Sequence, residues 1–286
     1  MILFVPKTHL ITLEMAKQTI VSKKILENKL DLLSPKHSFL STYLLQERLK
    51  ADSFWKPYLD ILPTDYDSMP IFFSEDDLGW LEGSPFLTQV RDKISDLKKD
   101  YDAIVTVANE FAQHSFKDFC WARMTAASRI FGIVIGDVKT DAFVPLADML
   151  NHRRPKQTSW SYSNEKQGFV IESLENIKKG EQIYDSYGKK CNSRFFLHYG
   201  FIVTENDGNE VALKVNFNKD DPLLQLKEQF MGEKMEKKTF RIMANFEENN
   251  VLEFFGFIRF TELSEKEHLL KLFVKNALSK MFWSNF

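Results

Sequence analysis

Hydrophobic positions at the start of the chain follow the spacing of a β-strand. In ILFVP, Leu3 and Val5 fall on one face and Pro6 ends the run, which predicts a short strand. From about Thr12 to about Ala126 the spacing of hydrophobic residues changes to that of helices. The chain therefore passes directly from a strand into a long helical stretch.

Two helices can be predicted inside this stretch. The first has an amphipathic stripe at three- and four-residue spacing, formed by Leu40, Tyr43, Leu44 and Leu49. The second begins at Ser84, a favoured N-cap residue, which a proline follows at the first helical position. Between them, PTDYDSMP (residues 63–70) has the composition of a turn.

Strand-forming residues return after about residue 126. AFVPLADML, GFVIESL and EQIYDSYG are short and rich in strand formers, and IKKGEQ has the composition of a turn. After about residue 205, the patterns in residues 221–243, 248–260 and 263–282 favour helices again. We therefore predict an α+β fold in which a helical insert splits a β-rich unit and a helical tail follows.

Composition narrows the class of protein. Hydrophobic residues make up 44% and charged residues 27% of the 286 residues, as in ordinary globular proteins with a hydrophobic core. The formal net charge of −2 gives no field that would attract nucleic acid or an anionic membrane. Two cysteines form no disulfide framework, and neither a signal peptide nor a membrane-spanning run is visible. We expect a monomer in the cytoplasm or the nucleus.

Common catalytic motifs are absent from the sequence. The six histidines and two cysteines show no H-x-x-x-H or C-x-x-C spacing, so we expect no metal site. Phosphate-binding glycine loops and the G-x-S-x-G nucleophile elbow are also missing. Cys191 follows two lysines, but nothing near it in the sequence supplies a base.

Polar residues embedded in hydrophobic segments remain as candidates for chemistry. The run LADMLNHRRP contains Asp148 and closes on Asn151 and His152, and Ser128–Arg129 ends another hydrophobic stretch. A buried amide without a partner costs about 1–3 kcal/mol. Asn151 and His152 therefore either cap a turn, as such residues often do, or meet a ligand.

The order of several motifs resembles a known family. PLADMLNH followed by GEQIYDSYGKKCNSRFFLHYGF is similar to the C-terminal half of SET-domain methyltransferases. The most similar subgroup contains the plant Rubisco large-subunit lysine methyltransferases and the actin-histidine methyltransferases. SFWKPYLDILP, LGWLEGSPF and FCWARMTAASRIF resemble the helical insert of that subgroup, and ILFVPKTHLIT resembles the segment that enters it. The resemblance extends to about Phe201, with a weaker match in VLEFFGFIRF.

The resemblance implies a β-rich SET fold with a knot-like C-terminal crossing, split by a helical insert and followed by a partial helical domain. Residues 1–20 would be a remnant of the N-terminal SET segment and 21–125 the insert. Residues 126–205 would form the C-terminal SET core and 206–286 part of a helical substrate-binding domain.

The resemblance also assigns a cofactor, S-adenosylmethionine. Asn151 would bind its amino-acid end, while the backbone of His152 would meet the adenine and the histidine ring would pack in the crossing. Ser128 and Arg129 would line the cofactor and the transfer channel, and Asp148 would support the same wall.

By the same resemblance, Tyr187 is the catalytic residue. Its hydroxyl would lie beside the transferred methyl group and align it. Phe131, Ala147, Tyr199 and Phe201 would line the substrate channel, whereas Tyr184, at an odd offset from Tyr187, is expected in the core. Histidine-directed relatives would carry asparagine at the position of Phe131 and tryptophan at that of Ala147, so we predict that the partner is a protein with a target lysine.

One departure from the family keeps a second function open. The glycine-containing loop that normally precedes the first strand and contacts the cofactor is absent from this sequence. The sequence therefore predicts either part of a longer gene product that is the methyltransferase, or a truncated, non-catalytic SET-like module that binds a protein partner.

Overall fold

The structure is a computed structural model that describes residues 1–231, 238–243, 250–268 and 271. The chain divides into two compact units. One is formed by Met1–Gly188 with Ser193–Ile202, and the other by Lys189–Asn192 with the residues from Val203 onward. All ten predicted site residues belong to the first unit. The predicted boundaries at residues 20, 125 and 205 stay predictions.

The first unit contains strands at both ends of a helical stretch. Its helices are α1 (Leu13–Ala16), α2 (Ile20–Glu27), α3 (Pro35–Arg48), α4 (Lys56–Leu59), α5 (Glu75–Gly79), α6 (Pro85–Val107), α7 (Phe116–Arg129) and α8 (Asn192–Tyr199). Its strands are β1 (Leu3–Pro6), β2 (Ile11–Thr12), β3 (Ile130–Ile135), β4 (Val138–Phe143), β5 (Asn151–His152), β6 (Thr158–Ser163), β7 (Gly168–Ser173) and β8 (Tyr184–Asp185). The helices α1 to α7 lie between β2 and β3 in sequence, which matches the predicted split of a β-rich unit.

Three small sheets form the β part of the unit. One has the order β1-β7-β6 and another β2-β4-β3, both antiparallel, and β5 pairs with β8 in parallel. The predicted strand at the start of the chain is confirmed, with Val5 buried and Phe4 turned outward. Each of the first two sheets thus joins a strand from before the helical stretch to strands from after it.

More of the predicted amphipathic helix is buried than its sequence pattern indicates. In α3 every residue from Ser38 to Leu45 is buried, including Ser41 and Thr42. Leu49, assigned to the hydrophobic stripe, lies just after the helix and is exposed. The helix is therefore enclosed by neighbours, and the small polar side chains fit because their hydroxyls bond to carbonyls one turn earlier.

Helices α6 and α7 begin with side-chain caps. Ser84 accepts a hydrogen bond from the Phe86 N–H, as the Ser-Pro start predicts, and the helix ends at Val107 before a short 3₁₀ segment. At α7, Ser115 and Asp118 form a reciprocal capping box. A buried ion pair between Arg123 and Asp100, 2.7 Å apart, connects the two helices.

The second unit is not wholly helical. It contains β9 (Glu210–Val215), α9 (Leu224–Met231), β10 (Lys238–Met243) and α10 (Asn250–Thr261), and β9 pairs antiparallel with β10. The helical interpretation of residues 221–243 is therefore wrong for Lys238–Met243. Phe240 is buried and Arg241 exposed, which is the alternation of a strand. Most of residues 263–282, also predicted helical, lies outside the described residues.

Within the described residues, no helix is long and apolar enough to cross a membrane.

Candidate active site

The parallel pair β5–β8 brings two distant segments together. Asn151 is opposite Tyr184 and His152 is opposite Asp185, and the Arg153 N–H continues the ladder to the Asp185 carbonyl at 2.8 Å. The segment that ends the hydrophobic run LADMLNH thus lies beside the segment that leads to Tyr187. The knot-like crossing stays a prediction.

Tyr187 is anchored to the β5 segment at two points. Its N–H donates to His152 Nδ1 at 3.0 Å, and its hydroxyl donates to the Leu150 carbonyl at 2.7 Å. Burial raises the pKa of Tyr187 to about 12. The phenol is therefore neutral at physiological pH, so that it acts as a hydrogen-bond donor and not as a base.

An aromatic cluster surrounds Tyr187. The ring of Tyr187 stacks on Tyr199 with centroids 5.0 Å apart and on His152 at 5.2 Å. Phe201 contacts the rings of both Tyr187 and Tyr199. We call these residues and Phe195, whose ring lies 4.8 Å from His152, the aromatic cluster. Sequence reasoning missed Phe195, although its four-residue spacing from Tyr199 on a helix was a usable signal.

Asp148 lies in a buried polar network below this cluster. Its carboxylate accepts hydrogen bonds from the Tyr58 hydroxyl at 2.8 Å and from Arg129 Nη1 at 3.1 Å. The second oxygen, Oδ1, is buried and has no hydrogen-bond partner among the described residues. Burial raises the pKa of Asp148, and the contacts with Arg129 and Tyr58 act in the opposite direction.

Arg129 joins three segments of the first unit. It stands at the end of α7 and donates to both the Asp148 carboxylate and the Asp148 carbonyl. Its Nε also reaches the Tyr66 hydroxyl at 3.4 Å. Tyr58 and Tyr66 were inside segments noted in the sequence, but no signal assigned them a role. Arg129 therefore has hydrogen-bond partners within the protein, and its predicted role toward a ligand would be additional to these contacts.

Three other predicted site residues have contacts with residues other than Tyr187. The Ser128 hydroxyl donates to the Met124 carbonyl of its own helix at 2.8 Å. The ring of Phe131 packs edge-on against Trp160 and Phe169, and Ala147 is buried in the same small core. The structure therefore shows Phe131 and Ala147 in the core beneath the sheets and outside the aromatic cluster.

Asn151 and Tyr184 differ from their sequence expectations. Asn151 is exposed, and its side-chain amide makes no hydrogen bond to a described residue. Water can therefore solvate the Asn151 amide, which needs no partner within the protein. Tyr184, expected in the core, is only partly buried, and the offset from Tyr187 does not apply within a strand because β8 ends at Asp185. In the described part of the chain, no three His, Cys, Asp or Glu side chains converge as a metal site would require.

Comparison with known proteins identifies the class. The sequence model of the SET domain matches residues 4–188, and the chain belongs to the SET domain family. This match covers the strands on both sides of the helical stretch and includes Asn151, His152 and Tyr187.

Curated relatives and solved structures support this assignment over more of the chain. Actin-histidine N-methyltransferase of Plecturocebus moloch is 28% identical in an alignment of 295 positions that covers 98% of this chain and 49% of that protein. The Homo sapiens protein of the same name is 29% identical over 94% of this chain and 47% of its own length. The chain thus spans about half the length of these relatives.

The similar solved structures carry ligands. The SET domain of LSMT bound to lysine and AdoHcy superposes with a TM-score of 0.71 at 25% identity, covering 85% of this chain and 57% of that one. Rubisco LSMT bound to AdoMet gives a TM-score of 0.68 at 26% identity over 85% of this chain and 57% of that one.

Proposed function

We propose that this protein transfers the methyl group of S-adenosylmethionine to a side chain of another protein. The observation that carries the proposal is the anchoring of Tyr187 on the segment directly before Asn151, through its hydrogen bond to the Leu150 carbonyl. The candidate catalytic hydroxyl and the candidate cofactor segment therefore share one fixed arrangement. The names of the relatives and the AdoMet bound to Rubisco LSMT support the same reaction class.

The residues present fit this cofactor. The exposed amide of Asn151 has an oxygen that can accept hydrogen bonds from the cofactor's amino group. His152 packs its ring into the aromatic cluster, and its backbone would meet the adenine. Arg129 and Asp148, which are hydrogen-bonded to each other, would support the cofactor-binding wall. Ser128, at the end of α7, would line the same wall.

Tyr187 would orient the reaction rather than move a proton. Because its phenol stays neutral, it can hold the methyl group and the acceptor atom in line, which is the arrangement that an in-line displacement needs. The cofactor, when bound, supplies the electrophilic methyl. The rings of Tyr199 and Phe201 provide an apolar lining beside Tyr187, and such a lining disfavours an ammonium and lowers the pKa of an entering amine.

We propose lysine as the acceptor. The phenylalanine at position 131 and the alanine at position 147 are the residue types expected of lysine-directed members, and Tyr199 stacks on Tyr187. The LSMT structure bound to lysine supports this choice. Histidine is the second candidate because the curated relatives are named for actin-histidine methylation. We also propose that the protein acts as a monomer, in the cytoplasm or the nucleus.

Mass spectrometry of products tests both levels of the proposal. The 286-residue chain is incubated with S-adenosylmethionine carrying a heavy methyl group and a protein extract, with Tyr187→Phe as the control. We expect heavy methyl groups on lysine in the parent reaction and far fewer in the control. Methyl groups on histidine alone would replace the acceptor assignment and leave the reaction class intact. No transfer and no cofactor binding would favour the non-catalytic module.

A further inference from the structure

A pocket of about 320 Å³ opens in the helical stretch, away from the aromatic cluster. It lies between the end of α3, helix α4 and the Trp121 side chain of α7, and buried Leu59 and Leu62 contribute to its lining. This volume is at the lower end of the range for small-molecule sites, roughly 300–1,000 Å³. The pocket is therefore suited to one side chain and is too small for a dinucleotide-sized cofactor.

A fixed arginine stands at this pocket. The Arg48 guanidinium lies over the Trp121 indole, 4.1 Å from the ring centroid. The indole is itself held in place, since its Nε1 donates to the Pro63 carbonyl at 2.8 Å. Stacking on an aromatic face leaves the in-plane N–H donors of a guanidinium free to bind an oxyanion in the same plane.

Arg48 has no committed acceptor. Among the described residues it makes neither a hydrogen bond nor an ion pair, and it is exposed. The charge of Arg48 contributes to lowering the pKa of Asp118, after the larger effect of Ser115, but the Asp118 carboxylate is hydrogen-bonded to Ser115. The N–H donors of Arg48 thus have no acceptor among the described residues, and this residue lines the pocket.

The other charges of the pocket are paired. Lys50 lies 2.5 Å from Glu47 and Lys56 lies 2.9 Å from Asp60. The lining holds three cations and two carboxylates and so carries a net charge of +1, in a chain whose formal net charge is −2. The unbalanced charge belongs to Arg48, and it matches a monoanion.

We infer that the Arg48–Trp121 pocket binds a carboxylate side chain, aspartate or glutamate, of the protein that this enzyme methylates. A guanidinium fork binds a carboxylate through two parallel hydrogen bonds. A phosphoryl group carries about −1.5 to −2 charges at neutral pH, more than the pocket balances, and would lie close to the carboxylates of Glu47 and Asp60. The role of substrate docking rests on the proposed function.

The pocket and the candidate active site share two helices. Lys56 and Leu59 of α4 line the pocket, and Tyr58 of the same helix donates to Asp148. Trp121 and Arg129 are two turns apart on α7, which corresponds to roughly 12 Å at 1.5 Å per residue.

Fluorine NMR on the full chain labelled with 5-fluorotryptophan tests the pocket directly. The probes are N-acetylglutamate α-amide and, as its neutral counterpart, N-acetylglutamine α-amide. We expect the glutamate probe to shift the Trp121 signal saturably in the millimolar range and the glutamine probe to leave it unchanged. Arg48→Gln should weaken the glutamate probe at least tenfold. Arg91→Gln, which removes an equal charge from an exposed arginine outside the pocket, should change it less than twofold.

The remaining outcomes separate the alternatives. Arg48→Lys keeps the charge but loses the planar fork, and an affinity equal to the parent would overturn the fork geometry. Tighter binding of inorganic phosphate than of the glutamate probe would overturn the carboxylate assignment. The titration needs neither cofactor nor substrate. A protein that binds the probe but fails to bind S-adenosylmethionine would therefore keep the pocket and refute the methyl transfer, and the reverse result would refute only the pocket.

Discussion

Tyr187 is the residue on which the proposed chemistry depends most. Tyr187→Phe removes the hydroxyl that donates to the Leu150 carbonyl and keeps the ring stacked on Tyr199. We expect turnover to fall by about a hundredfold, the scale for one preorganised polar group in an active site. The free energy of unfolding should fall by only about 1 kcal/mol, the net contribution of one hydrogen bond. Steady-state kinetics and urea denaturation measure the two effects.

Tyr184→Phe is the matched control, because Tyr184 lies three residues before Tyr187, pairs with Asn151 and is only partly buried. Its turnover should stay within about twofold of the parent. If both variants lost activity equally, the catalytic role would not belong to Tyr187 in particular.

The charge of Asp148 is predicted to stabilise the folded state through its ion pair with Arg129. Asp148→Asn leaves the Arg129 guanidinium partly buried without its counter-charge, and removing one partner of a buried ion pair costs about 3–5 kcal/mol. The same substitution at Asp141, whose partner Lys36 is exposed, should cost less than about 1 kcal/mol. Chemical denaturation of both variants should therefore give clearly different midpoints, and equal midpoints would show that the Asp148 pair carries no special weight.

Residues at the site were predictable to different extents. Motif order predicted five site residues that the structure brings close to one another: Asn151, His152, Tyr187, Tyr199 and Phe201. Tyr58 was not found, because it reaches Asp148 across 90 positions of sequence and no local pattern encodes such a contact. Phe131 and Ala147, assigned to the channel by resemblance, pack against a small core, and their role toward a substrate stays a prediction.

At the scale of elements, helix α7 carries Ser128 and Arg129 at its end and depends on the capping box at its start. The Ser115 hydroxyl accepts from the Asp118 N–H at 3.1 Å and donates to its carboxylate at 2.7 Å. Ser115→Ala should lower the free energy of unfolding by about 1 kcal/mol. Ser34→Ala is the control, since Ser34 precedes α3 without a side-chain cap, and it should cost less than about 0.5 kcal/mol. Equal losses would argue against the box.

The same cap predicts a pH dependence. The hydrogen bond from Ser115 lowers the pKa of Asp118 below its ordinary value. A carboxyl whose folded-state pKa is depressed contributes stability above its unfolded pKa, and this contribution is lost as pH falls through the folded value. The difference in unfolding free energy between the parent and Ser115→Ala should therefore shrink from pH 6 to pH 3. A difference that stays constant across this range would contradict the assigned cause.

Elements with local signals were predicted well and elements with distant partners were not. The Ser84–Pro85 start of α6 and the first strand follow from a few neighbouring residues. Lys238–Met243 forms a strand only because β9 pairs with it in register from Met243 opposite Glu210, and a window over residues 221–243 cannot show that partner. Leu49 continues a helical spacing, but the helix ends at Arg48, so periodicity alone places its boundary too late.

For the whole molecule, the family assignment and the site concern the same unit. The SET domain match ends at residue 188, where the first compact unit reaches Gly188 before it resumes at Ser193. Within this unit, strands from before and after the helical stretch pair with one another. The unit on which the proposed activity depends thus joins strands from both sides of the helical stretch, and β5, the proposed cofactor segment, lies in its C-terminal half.

Calorimetric titration with S-adenosylmethionine, on the parent chain and on Asn151→Ala, measures whether the Asn151–His152 segment binds the cofactor. Asn151 is exposed, so its replacement should leave the fold unchanged by circular dichroism and thermal melting. A hydrogen bond to a charged amino group contributes roughly 1.5–3 kcal/mol, so the account predicts that the parent binds and that the variant binds about 10- to 150-fold more weakly. Equal dissociation constants, or no binding by the parent, would contradict the claim that the Asn151–His152 segment forms the cofactor wall.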